Sequence, residues 1–249
     1  MRLHCWAILL LLLAGCAGDE PVPAQGVGKG GAKGVPPIPQ PHPGVAALPT
    51  REFNIEQFGV SGLYPEGWIV PQYTVATNTV LDLVQGADTY FNLGYIPQVR
   101  AKVAQAQPTA TPEELEEAIL SNTAESLATS DSYFRGTRKT LLNAGRLRFG
   151  PHQVATLTQL IERPVGLMES LPPEQRLDVF ASQVHYLTLC PEGATRIARH
   201  FAWILGDDVW IAQVVASPQT FLQRAAEVEE VILPSLSWAP RTSTAPANP

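Results

Sequence analysis

The chain has 249 residues, with 17 Lys and Arg against 23 Asp and Glu, and a formal net charge of −6. This acidic balance argues against nucleic acid as a partner. Internal repeats and a second long apolar segment are both absent from the sequence, which leaves one domain of ordinary size with additional segments at its ends.

The start has the three parts of a secretory signal: a basic residue (Arg2), an apolar run from Ala7 to Leu12, and small residues before Cys16. The apolar run is too short to cross a bilayer about 30 Å thick, which takes roughly 20 residues. Leu13-Ala14-Gly15-Cys16 resembles the lipobox of bacterial lipoproteins. That resemblance implies removal of residues 1–15 and attachment of a thioether-linked diacylglycerol to Cys16, so that the membrane is the first partner. Two or three acyl chains, at about 0.8 kcal/mol per buried methylene, hold a protein to a membrane almost permanently. An Asp after the lipidated cysteine is the family's signal for retention in the inner membrane. Ala17 stands there, which implies the outer membrane, facing the periplasm.

Residues 16–50 combine the lipidated cysteine with a Pro- and Gly-rich stretch that lacks Phe, Tyr and Trp after Cys16. Such a composition buries too little apolar surface to offset its ordering entropy and is expected to be a disordered tether. From Arg51 to Trp238 the composition is globular, and residues 239–249 return to Pro, Thr and Ala. Removal of Arg2 with the signal shifts the formal charge from −6 to −7. Cys5 leaves with it and Cys16 is acylated, so Cys190 has no disulfide partner in the mature chain and is expected to fill core space.

Alternation predicts strands over Phe53 to Tyr64, Val80 to Gln85 and Tyr90 to Ile96, with Gly86-Ala87-Asp88 as a turn. Thr111 before Pro112, followed by Glu113, Glu114, Glu116 and Glu117, predicts a capped helix from Thr111 to Leu127. Strands are then expected at Thr137 to Leu142, Arg146 to Phe149 and Val154 to Ile161, with Asn143-Ala144-Gly145 and Gly150-Pro151 as turns. A further meander is expected over Leu177 to Leu189, Thr195 to Leu205 and Val209 to Ala216, broken at Pro191-Glu192-Gly193 and Gly206-Asp207-Asp208. A last helix starts at Ser217 and Pro218, aligns Phe221, Leu222, Ala225, Val228 and Ile232, and stops at Pro234. This order predicts an α+β domain, helices packed on a largely antiparallel sheet.

The segment Phe58 to Val70, containing Tyr64-Pro65-Glu66-Gly67-Trp68, resembles the opening of PsbP-like and DcrB-like domains. The mid-chain helix, the meander and the closing helix running into Ile232-Leu233-Pro234-Ser235-Leu236-Ser237-Trp238 are similar to the rest of that fold. The resemblance implies an α/β/α sandwich over residues 51–238 and an assembly factor, chaperone or binding module more often than an enzyme. Locally, Pro65 and Gly67 turn the chain sharply, and Trp68 is placed to close one end of the core.

Chemistry-bearing candidates are few. Gly59-Val60-Ser61-Gly62-Leu63 lacks the last glycine of a nucleophile elbow and lies in a predicted strand. His185, Cys190 and His200 are the metal-ligand types that cluster, without the close spacing of a zinc site. Asp207 and Asp208 follow Gly206 as turn residues, and the glycines of residues 26–34 have neither the strand nor the helix of a nucleotide cradle. No cofactor is expected. Between Ser132 and Ile161 there is no Asp or Glu, while Arg135, Arg138, Lys139, Arg146 and Arg148 fall close together. On a hairpin they form either a patch for an anionic partner or a solvated face balanced by the preceding acidic helix. Two functions are thus expected: a non-catalytic binding or assembly module for an envelope protein, or a carrier of a small apolar ligand in a groove lined by Phe91, Tyr95, Trp203 and Trp210. An envelope hydrolase with an unrecognised site is the third and weakest reading.

Overall fold

Short runs of alternating apolar residues punctuated by glycine turns build the strands in sequence order. The structure is a computed structural model, and it describes residues 48–71, 79–129, 137–166, 173 and 190–239. Cys16, most of the expected tether and tail, Arg135, His185 and the strand expected over Leu177 to Leu189 lie outside these residues. Strands β1 (Thr50–Ile55) and β2 (Val60–Pro65) form an antiparallel hairpin around a 3-10 turn at Glu56–Phe58. This corrects the single strand expected over Phe53 to Tyr64. Gly59, at φ +62°, reverses the chain in a left-handed conformation that costs glycine little.

Strands β3 (Thr79–Gln85) and β4 (Thr89–Ile96) follow, then helices α1 (Val99–Ala106) and α2 (Pro112–Thr129). Next come β5 (Arg138–Phe149), β6 (His152–Glu162), β7 (Thr195–Leu205) and β8 (Asp208–Ala216). The chain closes with α3 (Phe221–Glu227), a π-helical turn (Val228–Ile232), the short α4 (Leu233–Ser235) and β9 (Ser237–Trp238). Among the described residues the strands form two antiparallel sheets, β1-β2-β9 and β3-β4-β8-β7-β6-β5.

The larger sheet is covered on both faces, which gives the α+β, helix-sheet-helix layering. Ile119 and Leu120 of α2 pack on Ala155, Ala202, Ile204 and Val209, with Val99 and Val103 of α1 alongside. On the other face Phe221, Ala225, Val228, Ile232 and Leu233 join Phe53, Val60 and Trp68 over Phe91, Leu93, Phe201, Trp203 and Trp210. The central β8 is buried along nearly its whole length, whereas β5 at the sheet edge is largely exposed. Gly62 lets β2 approach its cover: a Cβ there would stand 2.9 Å from the Phe53 ring and 3.1 Å from Ser235 Oγ.

Three expectations change. Asn143-Ala144-Gly145 is no turn; β5 runs through it with a bulge between Leu141 and Asn143, which absorbs the irregular alternation. The final helix begins at Phe221, after a turn closed by hydrogen bonds from the Thr220 and Phe221 N–H groups to the Ser217 carbonyl, so Pro218 is not its first residue. Pro234 does not stop it either. The π-helical turn shifts the hydrogen-bond register, and Pro234 falls in the first turn of α4, where a missing N–H is harmless.

Trp68 closes one end of the core, 2% exposed, as its motif suggests. Its indole N–H donates to Glu227 Oε2 at 2.7 Å. Glu227 is equally buried, and its other oxygen accepts from Gln223 at 3.1 Å and Arg224 at 2.5 Å. A buried carboxylate is tolerable on these terms, since both of its oxygens meet donors, one of them a guanidinium.

Candidate functional site: an aromatic cleft

The β5–β6 turn at Gly150 and Pro151, the start of β6, Trp203 on β7 and the α4–β9 segment enclose a cleft of about 460 Å³. Its walls are Phe149, Trp203, Leu233, Leu236 and Trp238, with Arg148 and His152 also lining it. Each wall follows from local sequence. Gly150 adopts φ +54° and so permits the tight β5–β6 reversal. Leu236 leaves the helix in an extended conformation, which lets Ser237 and Trp238 pair with Ser61 and Val60 of β2.

Trp238 is the hub of this site. Its ring meets Trp203 edge-on at 6.1 Å, Trp210 at 5.8 Å and His152 at 6.5 Å, at interplanar angles of 69–73°. Tyr95 stacks on Trp210 at 5.4 Å, and Phe58 meets Tyr95 at 5.6 Å. Edge-to-face contacts of this kind hold rings rigidly. The Trp238 Nε1–H is nevertheless buried with no acceptor among the described residues. A lost acceptor at a buried donor costs about 1–3 kcal/mol, and what the cleft itself offers is apolar, aromatic surface.

Of the groove residues expected from sequence, Trp203 alone lines the cleft; Phe91 and Trp210 are buried in the core beneath, and Tyr95 packs behind Trp210. Sequence reasoning missed Phe149, Leu236 and Trp238 as a wall. The signal available was the apolar density of Leu233 to Trp238 after a helix, but its closure against the β5–β6 turn is a long-range event.

The basic residues do not form one face. Lys139, Arg146 and Arg148 lie opposite Ile161, Ala155 and Gln153, on the side of the sheet covered by α2, whereas Arg138 lies opposite Glu162 on the other side. Arg146 is paired with Glu117 of α2 at 2.7 Å, and the hydrogen bond from Ser121, with that from Arg146 second, holds the Glu117 carboxyl below its ordinary value. Ser61 sits inside β2, paired with Asn54 and Ser237, and not at a strand-to-helix turn.

His200 lies opposite Leu157, on the face of the larger sheet covered by α2, and Cys190 packs with Ile161 and Ala198. Burial raises the Cys190 thiol, opposed by the charges of Arg163 and Arg196. Burial lowers His200 to about 3, with help from the Lys139 charge, so its ring is neutral. Among the described residues no three His, Cys, Asp or Glu side chains converge as metal ligands, and no helix is long and apolar enough to cross a membrane. Asp207 and Asp208 do more than turn the chain. The Gln98 N–H donates to Asp208 Oδ1 at 2.9 Å and the Arg100 N–H to the Asp207 carbonyl at 3.0 Å, which caps α1.

No family model matches the sequence, nor does any curated protein. Several solved structures are similar in arrangement. The cyanobacterial PsbP of Synechocystis is 11% identical with a TM-score of 0.46, over 76% of this chain and 92% of that one. LpqN of Mycobacterium tuberculosis, described as involved in cell envelope biogenesis, is 11% identical at a TM-score of 0.37, over 78% and 87%. A Mog1 mutant is 8% identical at 0.40, over 77% and 96%. Likenesses at this level carry no function to the chain, and its site is read from its own geometry.

Proposed function

We propose that the protein is a non-catalytic binding module, held at the outer membrane by acyl chains on Cys16, whose cleft takes an apolar segment of another envelope protein. The observation that carries the cleft reading is an apolar, aromatic hollow of about 460 Å³ walled by Phe149, Trp203, Leu233, Leu236 and Trp238. A peptide supplies the complement, an apolar side chain for Trp203, Leu233 and Leu236. The location rests on the lipobox pattern alone. Intact mass of the protein isolated from membranes tests it: an acylated cysteine at the amino terminus is expected, and an unprocessed, unacylated chain overturns it.

The cleft is tested by placing a photo-crosslinking residue at His152, whose ring lines the cleft beside Trp238, or at the exposed Glu113 of α2, in intact cells. Capture of one defined envelope protein from position 152, absent from position 113 and lost when Leu233→Arg fills the hollow, is the expected result. Equal capture from both positions, or capture that survives Leu233→Arg, removes the cleft from the account. A second reading, carriage of a small apolar molecule, is favoured by a volume that lies within the range of about 300–1,000 Å³ typical of ligand pockets. Native mass measurement showing a bound small molecule, released by Leu233→Arg, would select it.

A further inference from the structure

In the order β3-β4-β8-β7-β6-β5, β5 is the last strand, and among the described residues no strand pairs with its outer side. An edge strand directs the N–H and C=O groups of alternate residues away from its sheet, where they form a template for another strand. Such edges are commonly kept short or covered. Strand β5 instead runs for 12 residues, and Asn143, Ala144, Gly145, Arg146 and Arg148 along it are exposed. Its bulge between Leu141 and Asn143 interrupts the ladder, so the regular part is residues 143–149, paired without a break from Asn143 opposite Thr158 to Phe149 opposite His152. That stretch has the length of an ordinary strand.

Its side chains alternate in kind as well as in direction. Ala144, Arg146 and Arg148 lie opposite Leu157, Ala155 and Gln153, on the side of the sheet covered by α2. Gly145, Leu147 and Phe149 lie opposite Thr156, Val154 and His152 on the other side, where Leu147 and Phe149 pack against the core. A strand laid beside β5 therefore meets cations on one face and apolar side chains on the other. No Asp or Glu occurs between Ser132 and Ile161, so the hairpin brings no carboxylate of its own to these cations. Glu117 of α2 reaches Arg146 at 2.7 Å, while Arg148 makes no ion pair among the described residues. A second copy of β5 is a poor occupant, because an antiparallel pair centred on Arg146 sets like charges directly opposite each other.

We propose that the 143–149 edge of β5 takes an extended acidic segment of a partner protein as an added strand, with carboxylates facing Arg146 and Arg148 and apolar side chains beside Leu147 and Phe149. Backbone pairing supplies affinity, and the alternation of acidic and apolar residues supplies the choice of partner. This edge does not depend on what the aromatic cleft takes. Its contacts run along the outer side of β5, and the register turns Arg148 toward the side covered by α2.

The test is binding of the full chain, purified in detergent, to a fluorescent, end-blocked peptide of about eight residues that alternates Glu and Val. Saturable binding is expected, with slower amide exchange over residues 143–149. Arg148→Gln should weaken binding about tenfold, as for loss of one charge-assisted hydrogen bond. Arg138→Gln removes an equal charge from β5 on the far side of the bulge and should leave binding unchanged. Two N-methylated peptides separate strand pairing from charge attraction, because only one edge of the added strand meets β5. Methylation of the Val nitrogens and methylation of the Glu nitrogens should therefore differ, one abolishing binding and the other sparing it. The proposal is overturned by no saturable binding, by unchanged exchange over 143–149, by equal behaviour of the two methylated peptides, or by equal weakening from the two Arg substitutions.

Discussion

The carboxylate of Glu227 joins α3 to the chain entry at Trp68 through one indole, one amide and one guanidinium donor. Breaking such a buried cluster from one side leaves charge and donors unmatched, so Glu227→Ala should cost about 3–5 kcal/mol in chemical denaturation. Trp68→Phe keeps much of the bulk but removes the donor, and a loss of about 1–3 kcal/mol is expected, smaller than that of Glu227→Ala. His200 sets a pH dependence of definite sign. Its folded value of about 3 lies below the ordinary 6.5, so between these values the unfolded chain binds a proton that the folded chain does not. The contribution is complete above pH 6.5 and is lost as pH falls toward 3. Stability measured from pH 7 to pH 4 should fall, and His200→Leu should flatten that slope; an unchanged slope would mean that other groups govern acid unfolding.

At the scale of elements, helix ends are decided by different kinds of contact. Helix α2 carries its own cap: the Glu114 N–H donates to Thr111 Oγ1 at 3.2 Å, and the Thr111 N–H donates to Glu114 Oε2 at 2.7 Å. This is local, and Thr111 before an acidic turn was readable in the sequence. Helix α1 was not. Its sequence Val99-Arg100-Ala101-Lys102-Val103 alternates apolar and polar, it has no side-chain cap of its own, and Gln98 before it adopts φ +57°. Its cap comes from Asp208, 110 positions along the chain. Asp208→Ala should therefore destabilise the protein by about 1 kcal/mol, and amide exchange should speed up in α1 more than in α2. The Arg146–Glu117 pair, with side chains 34% and 61% exposed, should matter little: Arg146→Ala is expected to change stability by less than about 1 kcal/mol, with a still smaller effect at high salt.

On the whole-molecule scale, the aromatic cleft lies at one end of the long β5–β6 hairpin, where the last strand β9 meets β2 from the start of the domain. Leu233→Arg should abolish capture at the cleft, because Leu233 is one of its walls.

Period-two runs, glycine turns and the Thr111 cap are short-range signals, so β3, β4, β6, β7, β8 and α2 were legible in the amino-acid order, as was the α+β class that follows from their succession. Phe53 to Tyr64 and Arg138 to Phe149 misled because a 3-10 turn and a bulge change direction or phase without the residues that usually mark them. Which side chains line a hollow was decided only by tertiary structure. Trp238, near the end of the chain, pairs through β9 with β2 near the domain's beginning, and Arg163 is buried by residues some thirty positions later. Local sequence sets backbone preference over a few residues, whereas enclosure and unmet hydrogen bonds arise only when distant segments meet.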